Sequence, residues 1–124
     1  PTKLRATLSA ARAVTDGRIV LVVQPHLYSR TEALGEELGR AAAGADVVVV
    51  TDVYGAREDP IPGVTGEIVA NAAREAGANV TWLSHLADVP PALVELVEEG
   101  DLVVVTGAGD VNQVGPALLA LLEG

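Results

Sequence analysis

Four short apolar runs stand out in the sequence: IVLVV at residues 19–23, VVVVT at 47–51, VTWL at 80–83 and LVVVT at 102–106. Three of them are almost continuously valine, isoleucine and leucine, a composition typical of strands that are covered on both faces. We therefore predict four strands, three of which are expected to be covered on both faces.

The segments around these runs have the periodicity and end signals of helices. Thr31 is the expected N-cap of the second helix, and Gly77 and Gly100 are expected to end the third and fourth. The predicted helices are 2–14, 31–43, 66–76, 91–99 and 114–122. Helices alternating with strands predict an α/β, Rossmann-like, doubly wound domain, with a mainly parallel sheet and helices on both faces.

Length and composition restrict the class of protein. The 124 residues correspond to a single domain, 1–124, and the lack of cysteine excludes a disulfide scaffold, a cysteine-ligated zinc site and a thiol nucleophile. A net charge of −9 disfavours nucleic-acid binding, and no apolar run approaches the length of a membrane span. We therefore expect a cytoplasmic protein that binds neither nucleic acid nor membrane.

The charge is unevenly distributed along the chain. Residues 1–40 have a net charge of +2, whereas residues 41–124 have a net charge of −11. An anionic ligand is therefore expected at the N-terminal part. The chain lacks methionine and begins at Pro1, from which we expect a domain of a longer protein.

Both histidines and both tyrosines follow predicted strands, where ligands of open α/β sheets bind. His26 is a candidate donor to a carboxylate or phosphate, and Arg30 is a candidate anion clamp beside a helix N-terminus. The alternatives are a loop histidine bonded to backbone and an arginine in a surface salt bridge. Tyr28 and Tyr54 either form a pocket wall or serve mainly as packing groups.

Three further residues after the strands are expected to have no direct role in binding. No polar neighbours of note surround His85 in the sequence, and Arg57 and Glu58 are expected to form a local ion pair at the surface.

The last strand is followed by a glycine-rich turn containing Gly107, Gly109 and Asp110. A dinucleotide fingerprint would have a third glycine where Asn112 stands, and Asp110 would repel a pyrophosphate. We interpret the turn as a close backbone approach to a ligand or a neighbouring domain. No phosphate-binding Gly-Lys-Ser/Thr loop and no metal site are predicted.

Two segments carry a family resemblance. QPHLYSRT at 24–31 and TDVYGARE at 51–58, followed by PIPG at 60–63, resemble the C-terminal domain of the Mur ligases, in the branch that joins L-alanine to UDP-N-acetylmuramate. Pro1-Thr2-Lys3 resembles the family's His-Pro-Thr-Glu segment, entered at the proline, and GAGD at 107–110 matches a motif near the family's C-terminus. The resemblance extends along essentially the whole chain.

This resemblance implies a three-domain enzyme of peptidoglycan synthesis. ATP and Mg²⁺ would be bound mainly by a central domain, and the C-terminal domain would bind the amino acid and close the active site. Its partners would be L-alanine, UDP-N-acetylmuramate and ATP, bound together with the other two domains. His26 and Arg30 would face the reacting carboxylates and phosphates, with Tyr28 and Tyr54 beside the substrate and Gly107, Gly109 and Asp110 in a nucleotide or closure loop.

Two departures from the family pattern qualify these expectations. Leu27 replaces an arginine that many members have, and the family's Asp-Tyr-x-His-His segment and other two domains are absent from this chain. We expect the isolated domain to be inactive, to have no catalytic residue or cofactor of its own, and to expose a sheet edge that pairs between copies. The alternatives are a non-catalytic nucleotide- or anion-binding module, and a related Mur ligase with another amino-acid or peptide specificity.

Overall fold

The computed structural model describes residues 1–107 and 110–123, apart from the side chain of Asp110. The helices are α1 (Thr2–Val14), α2 (Tyr28–Ala42), α3 (Glu67–Glu75), α4 (Val89–Leu96) and α5 (Val114–Glu123). The strands are β1 (Ile19–Val23), β2 (Val47–Thr51), β3 (Asn79–Leu83) and β4 (Leu102–Thr106). Short 3₁₀ turns at Leu86–Asp88 and Asp110–Gln113 precede α4 and α5.

The four strands form one parallel sheet in the order β3-β2-β1-β4. The chain therefore moves outward from β1 through β2 to β3 and then returns across the sheet to β4. Such a reversal requires helices on opposite faces if both crossovers are right-handed. The parallel, doubly wound fold predicted from the four apolar runs is confirmed.

Each face of the sheet is covered by its own apolar cluster. On one face α1, α2 and α3 contribute to a cluster centred on Leu21 and Val48. On the other face α4 and α5 pack through Leu93 and Leu118 against Val22 and the remaining β-strand valines. Every residue of β1 is buried, because this strand has neighbours on both sides and helices on both faces.

Two helix boundaries, the start of α2 and the end of α4, differ from the prediction by three residues; the start of α4 differs by two, and the others by at most one. α2 begins at Tyr28, so Thr31 is not its N-cap; Thr31 lies inside the helix and its hydroxyl donates to the Leu27 carbonyl at 2.8 Å. α4 ends at Leu96, and Gly100 lies in a later turn. In both cases contacts from segments distant in sequence fix the boundary.

The positions of two other glycines agree with simple end rules. Gly77 directly follows the C-cap of α3 and has φ of +96°, which confirms its predicted role. Gly66 is the N-cap of α3, where a Cβ would collide with the Thr51 carbonyl and the Trp82 ring. Within the described part of the chain, no helix combines the length and hydropathy needed to cross a bilayer.

Candidate functional site

A cleft of about 310 Å³ opens at the carboxyl ends of β1 and β4. β1 is the strand at which the order of the sheet reverses, since its chain continues to β2 on one side while β4 lies on the other. In open α/β sheets, ligands bind outside the carboxyl ends of the strands at such a switch point. The fold thus places the cleft where ligands of doubly wound domains bind.

Four segments build the cleft. Its base is formed by residues 23–26, at the end of β1 and directly after it, and by Thr106 and Gly107 at the end of β4. One wall comes from α2, between Arg30 and Leu38, and the other from the N-terminal half of α1. Most of the lining is apolar, with a few polar groups, as in many small-molecule sites.

The two permanently charged side chains that line the cleft, Lys3 and Arg30, are both cationic. Lys3, His26 and Arg30 line it, and none of the described lining residues is acidic, although the whole chain has a net charge of −9. Arg30 forms no salt bridge with any side chain that the structure describes, which weighs against the surface-salt-bridge alternative. A cleft with low-dielectric walls and cationic groups favours an anion.

Backbone pairing fixes the loop that carries His26. The Leu27 N–H donates to the Tyr54 carbonyl at 2.9 Å, and the Tyr54 N–H donates to the Pro25 carbonyl at 2.8 Å. The rings of His26 and Tyr54 are stacked, with centroids 6.1 Å apart and planes inclined by 20°. The loops after β1 and β2 are therefore joined, and His26 has a supporting surface.

Leu27 has an uncommon backbone conformation at the turn into α2. Its φ is +66° and its ψ is 135°, a region that side chains other than glycine rarely adopt, at a cost of about 1–3 kcal/mol. Two bonds to its carbonyl, from the Thr31 N–H and hydroxyl, hold it there. This turn lies between His26 and Arg30 in the chain.

The first turn of α2 is completed by a carboxylate from the loop after β2. Glu58 accepts hydrogen bonds from the Ser29 N–H at 3.1 Å and from the Ser29 hydroxyl at 2.5 Å. The bond from the hydroxyl has the larger effect and the bond from the N–H the next largest, and together they hold the pKa of Glu58 below its usual range. The expected ion pair with Arg57 is wrong, since Glu58 is bonded to Ser29 and no Arg57–Glu58 salt bridge forms.

Gln24 and Gly107 bring the ends of β1 and β4 close together. The Gln24 N–H donates to the Thr106 carbonyl at 3.0 Å. A Cβ on Gly107 would lie 2.5 Å from a Val111 methyl and 3.0 Å from Gln24 Cβ, so only glycine fits. Gln24 is 7% exposed, and its Oε1 has no hydrogen-bond partner among the atoms that the structure describes. A buried acceptor at the base of a cleft is suited to a donor from a ligand or another domain.

The structure brings some of the predicted site residues together and separates others. His26, Arg30 and Gly107 line one cleft. Tyr28 and Tyr54 do not line it: Tyr28 packs against Gly55, and Tyr54 supports the His26 ring. They therefore match the packing alternative better than the pocket-wall one.

The remaining predicted residues lie outside the cleft or outside the described part of the chain. His85 is exposed after β3 and takes no part in the cleft. Gly109 and the side chain of Asp110 lie outside the described residues.

Three residues of this region escaped the sequence-based prediction. Lys3 is the chain's one lysine and lies in the cleft wall, so its rarity in an acidic protein was a usable signal. Gln24, a polar residue directly after a buried strand, was a second one. No local pattern identifies Glu58, because its partner Ser29 is 29 positions away.

The donor set does not favour a metal centre in this domain. The described residues contain no cluster of three or more histidine, aspartate or glutamate side chains that could hold a metal ion. The cleft instead presents cationic groups, which suit carboxylate or phosphate oxygens.

Comparison with known proteins gives consistent matches along the chain. A family model described as "Mur ligase, glutamate ligase domain" matches residues 1–109. The chain is 53% identical over 120 residues to the UDP-N-acetylmuramate–L-alanine ligase of Streptomyces griseus, covering 96% of this chain and 26% of the relative. It is 54% identical over 126 residues to the same-named enzyme of Cutibacterium acnes, covering 100% and 27%. The chain thus spans about a quarter of the length of these curated relatives.

Solved structures agree on the fold. The UDP-N-acetylmuramate–alanine ligase of Thermotoga maritima superposes with a TM-score of 0.74 at 23% identity, over 99% of this chain and 24% of that one. A murein peptide ligase from Psychrobacter arcticus gives the same TM-score at 21% identity, over 98% and 25%. With its parallel sheet, its cleft at the switch point and the match over residues 1–109, the chain belongs to the Mur ligase, glutamate ligase domain family.

Proposed function

We propose that residues 1–124 are the C-terminal domain of a three-domain, ATP-dependent ligase that joins L-alanine to UDP-N-acetylmuramate in peptidoglycan synthesis. The cationic cleft at the switch point of the sheet carries this proposal. The names of relatives that are more than 50% identical over nearly the whole chain support it.

The domain's contribution would be binding, orientation and closure. Arg30 can grip a carboxylate or phosphate with two parallel hydrogen bonds, and His26 can donate to the same anion. The apolar walls exclude water around these bonds, which strengthens them. Holding an amine and an activated carboxyl group in reacting geometry accounts for much of the rate gain in such a reaction.

ATP and Mg²⁺ would be bound mainly by the central domain of the full enzyme. The described residues contain no cluster of carboxylates that could bind Mg²⁺. The sequence also has no phosphate-binding Gly-Lys-Ser/Thr loop. ATP supplies the phosphoryl group that activates the carboxylate of the sugar substrate. The residues of this chain would then act on the amino acid and on the anionic groups at the junction between domains.

Reconstitution tests the proposal. The chain is joined to the N-terminal and central domains of the Cutibacterium acnes relative, and L-alanine-dependent phosphate release is measured. We expect turnover that falls about 100-fold in kcat/KM with Arg30→Ala or His26→Ala, the usual cost of losing one aligned donor. Arg57→Ala and His85→Ala, which remove the same groups at exposed positions outside the cleft, should retain full activity.

Other outcomes decide between the alternatives. A fusion that folds and binds ATP but releases no phosphate with L-alanine would favour a non-catalytic module. Turnover with another amino acid or with a peptide in place of L-alanine would favour a related ligase of different specificity. Equal losses for Arg30→Ala and Arg57→Ala would remove the cleft from the mechanism.

A further inference from the structure

We propose that Glu58 is a positioning residue for the cleft: by binding both polar groups of Ser29, its carboxylate fixes the first turn of α2 and so holds His26 and Arg30 in place. The inference rests on the proposed function, because it takes the cleft as the binding site. Glu58 itself does not line the cleft, so any effect on ligands passes through other residues.

The first turn of α2 needs an acceptor from outside the helix. The N–H groups of a first helical turn have no intrahelical partner, and Leu27 at the N-cap position has no side-chain oxygen to accept one. Glu58 supplies this acceptor from the loop after β2. Its negative charge at the helix N-terminus also interacts favourably with the helix dipole.

The loop that carries Glu58 is itself anchored to the His26 loop. Tyr54 pairs with Pro25 and Leu27 through backbone bonds, and the Glu58 N–H donates to the Gly55 carbonyl at 2.9 Å. A Cβ on Gly55 would lie 2.4 Å from the Tyr28 ring, so the two loops are in close contact. Residues 25–29 are therefore held at one end by Tyr54 and at the other by Glu58.

A purely electrostatic role for Glu58 predicts the opposite effect on ligands. If the carboxylate acted only as a negative charge near a cationic cleft, its removal would strengthen the binding of an anion. If it positions His26 and Arg30, its removal weakens binding although a repulsive charge has been lost. The direction of the change therefore separates the two roles.

The test uses the ¹⁵N-labelled chain, with inorganic phosphate as the probe. Glu58→Ala should speed hydrogen exchange of the Ser29 amide about tenfold, the equivalent of losing a helix cap, and weaken phosphate binding several-fold. Glu58→Gln keeps an acceptor but not the charge, and should remain close to wild type in both measurements. Asp59→Ala removes an exposed carboxylate one residue away and should change neither.

Ser29→Ala provides a coupling control. It removes the hydroxyl but keeps the N–H, so its effect on phosphate binding should not add to that of Glu58→Ala. Tighter phosphate binding in Glu58→Ala, equal effects of Glu58→Ala and Asp59→Ala, or a Glu58→Gln variant that behaves like Glu58→Ala would each overturn the proposal.

The failure of the proposed function is distinguishable from the failure of this inference. If the wild-type chain shows no phosphate-induced shifts, the anion-binding cleft fails, and the resonances of the His26 ring and the Arg30 guanidinium decide the positioning role without a ligand. Both should shift in Glu58→Ala and stay unchanged in Asp59→Ala. Unchanged resonances in Glu58→Ala would refute the positioning role.

Discussion

At the scale of single residues, carboxylate side chains hold turns and loops together by accepting hydrogen bonds. Asp52 accepts bonds from the Val53 and Gly66 N–H groups and so ties the two ends of the long loop after β2. Asp101 binds the Arg18 guanidinium at 2.8 and 3.1 Å and also accepts from the Glu98 N–H. Arg18 in turn donates to the Leu96 carbonyl at the end of α4.

The Asp101 network makes a pH-dependent contribution to stability. The hydrogen bonds from Arg18 lower the pKa of Asp101 in the folded protein, whereas in the unfolded chain it returns to about 3.9. The stabilisation is therefore complete above that value and is lost as the pH falls through the lowered native pKa. Asp101→Asn should reduce the free energy of unfolding at pH 7 by about 1 kcal/mol, after allowance for solvent screening.

Urea unfolding at a series of pH values measures this effect. The difference between wild type and Asp101→Asn should be full at pH 7 and shrink in acid, while Asp16→Asn, on an exposed loop, should track the wild type throughout. A difference that stays constant down to pH 2 would contradict the assignment.

Site residues were predictable where side chains suited to binding follow directly after a predicted strand. His26 and Arg30 follow a continuous aliphatic run, so the end of β1 and the edge of the sheet could be located from sequence. Glu58 and Gln24 depend on contacts across the sheet, which no local pattern records. Thr31 was assigned as an N-cap from its residue type, but the Glu58 carboxylate caps the turn before it.

At the scale of elements, α2 and α3 approach closely through two glycines. A Cβ on Gly39 would lie 2.4 Å from the Val69 carbonyl and 2.6 Å from the Ala72 Cβ, and one on Gly35 would lie 2.9 Å from an Ile68 methyl. These helices cover the same face of the sheet, so their spacing controls the position of α2 and thus the wall of the cleft.

Two glycine-to-alanine substitutions test this packing against intrinsic helix propensity. Gly39→Ala should destabilise the protein by roughly 1–3 kcal/mol, since the backbone of α3 cannot yield without repacking. Gly115→Ala in α5, where a Cβ would meet nothing within 4 Å, should be neutral or stabilising by up to about 1 kcal/mol. Thermal unfolding monitored by circular dichroism compares them, and equal effects would argue against a close α2–α3 contact.

The helices and strands themselves were largely predictable, because the aliphatic runs of the strands and the apolar periodicity of the helices are local features of the sequence. Aliphatic runs place β1, β2 and β4 at the predicted residues, and β3 begins one residue earlier, at Asn79. The start of α2 was missed because the carboxylate of Glu58 fixes it from a distant segment. The end of α4 was missed because the guanidinium of Arg18 binds the Leu96 carbonyl there.

At the scale of the whole molecule, the sheet ends in two edge strands. β3 and β4 each have one neighbour among the described strands, and the β4 residues are only partly buried. Unpaired edges of this kind can join two chains, so self-association stays a prediction. Sedimentation velocity over a range of concentrations should show a rising mean mass, and a constant monomer mass at high concentration would contradict it.

The isolated chain should also be inactive. It spans about a quarter of the length of its ligase relatives, and its cleft presents anion-binding groups without a phosphate loop. A phosphate-release assay with ATP and L-alanine should give no rate above background. Measurable L-alanine-dependent hydrolysis would contradict the division of roles between domains.

The charge distribution links these scales. The chain is acidic overall, yet Lys3, His26 and Arg30 gather at the switch point of the sheet. The most direct measurement is an NMR titration of the ¹⁵N-labelled wild-type chain with inorganic phosphate. Saturable shifts concentrated at residues 24–31 and at Thr106 and Gly107 are the result we predict; shifts spread over the surface, or centred on Arg40, Arg57 and Arg74, would contradict a binding cleft at this position.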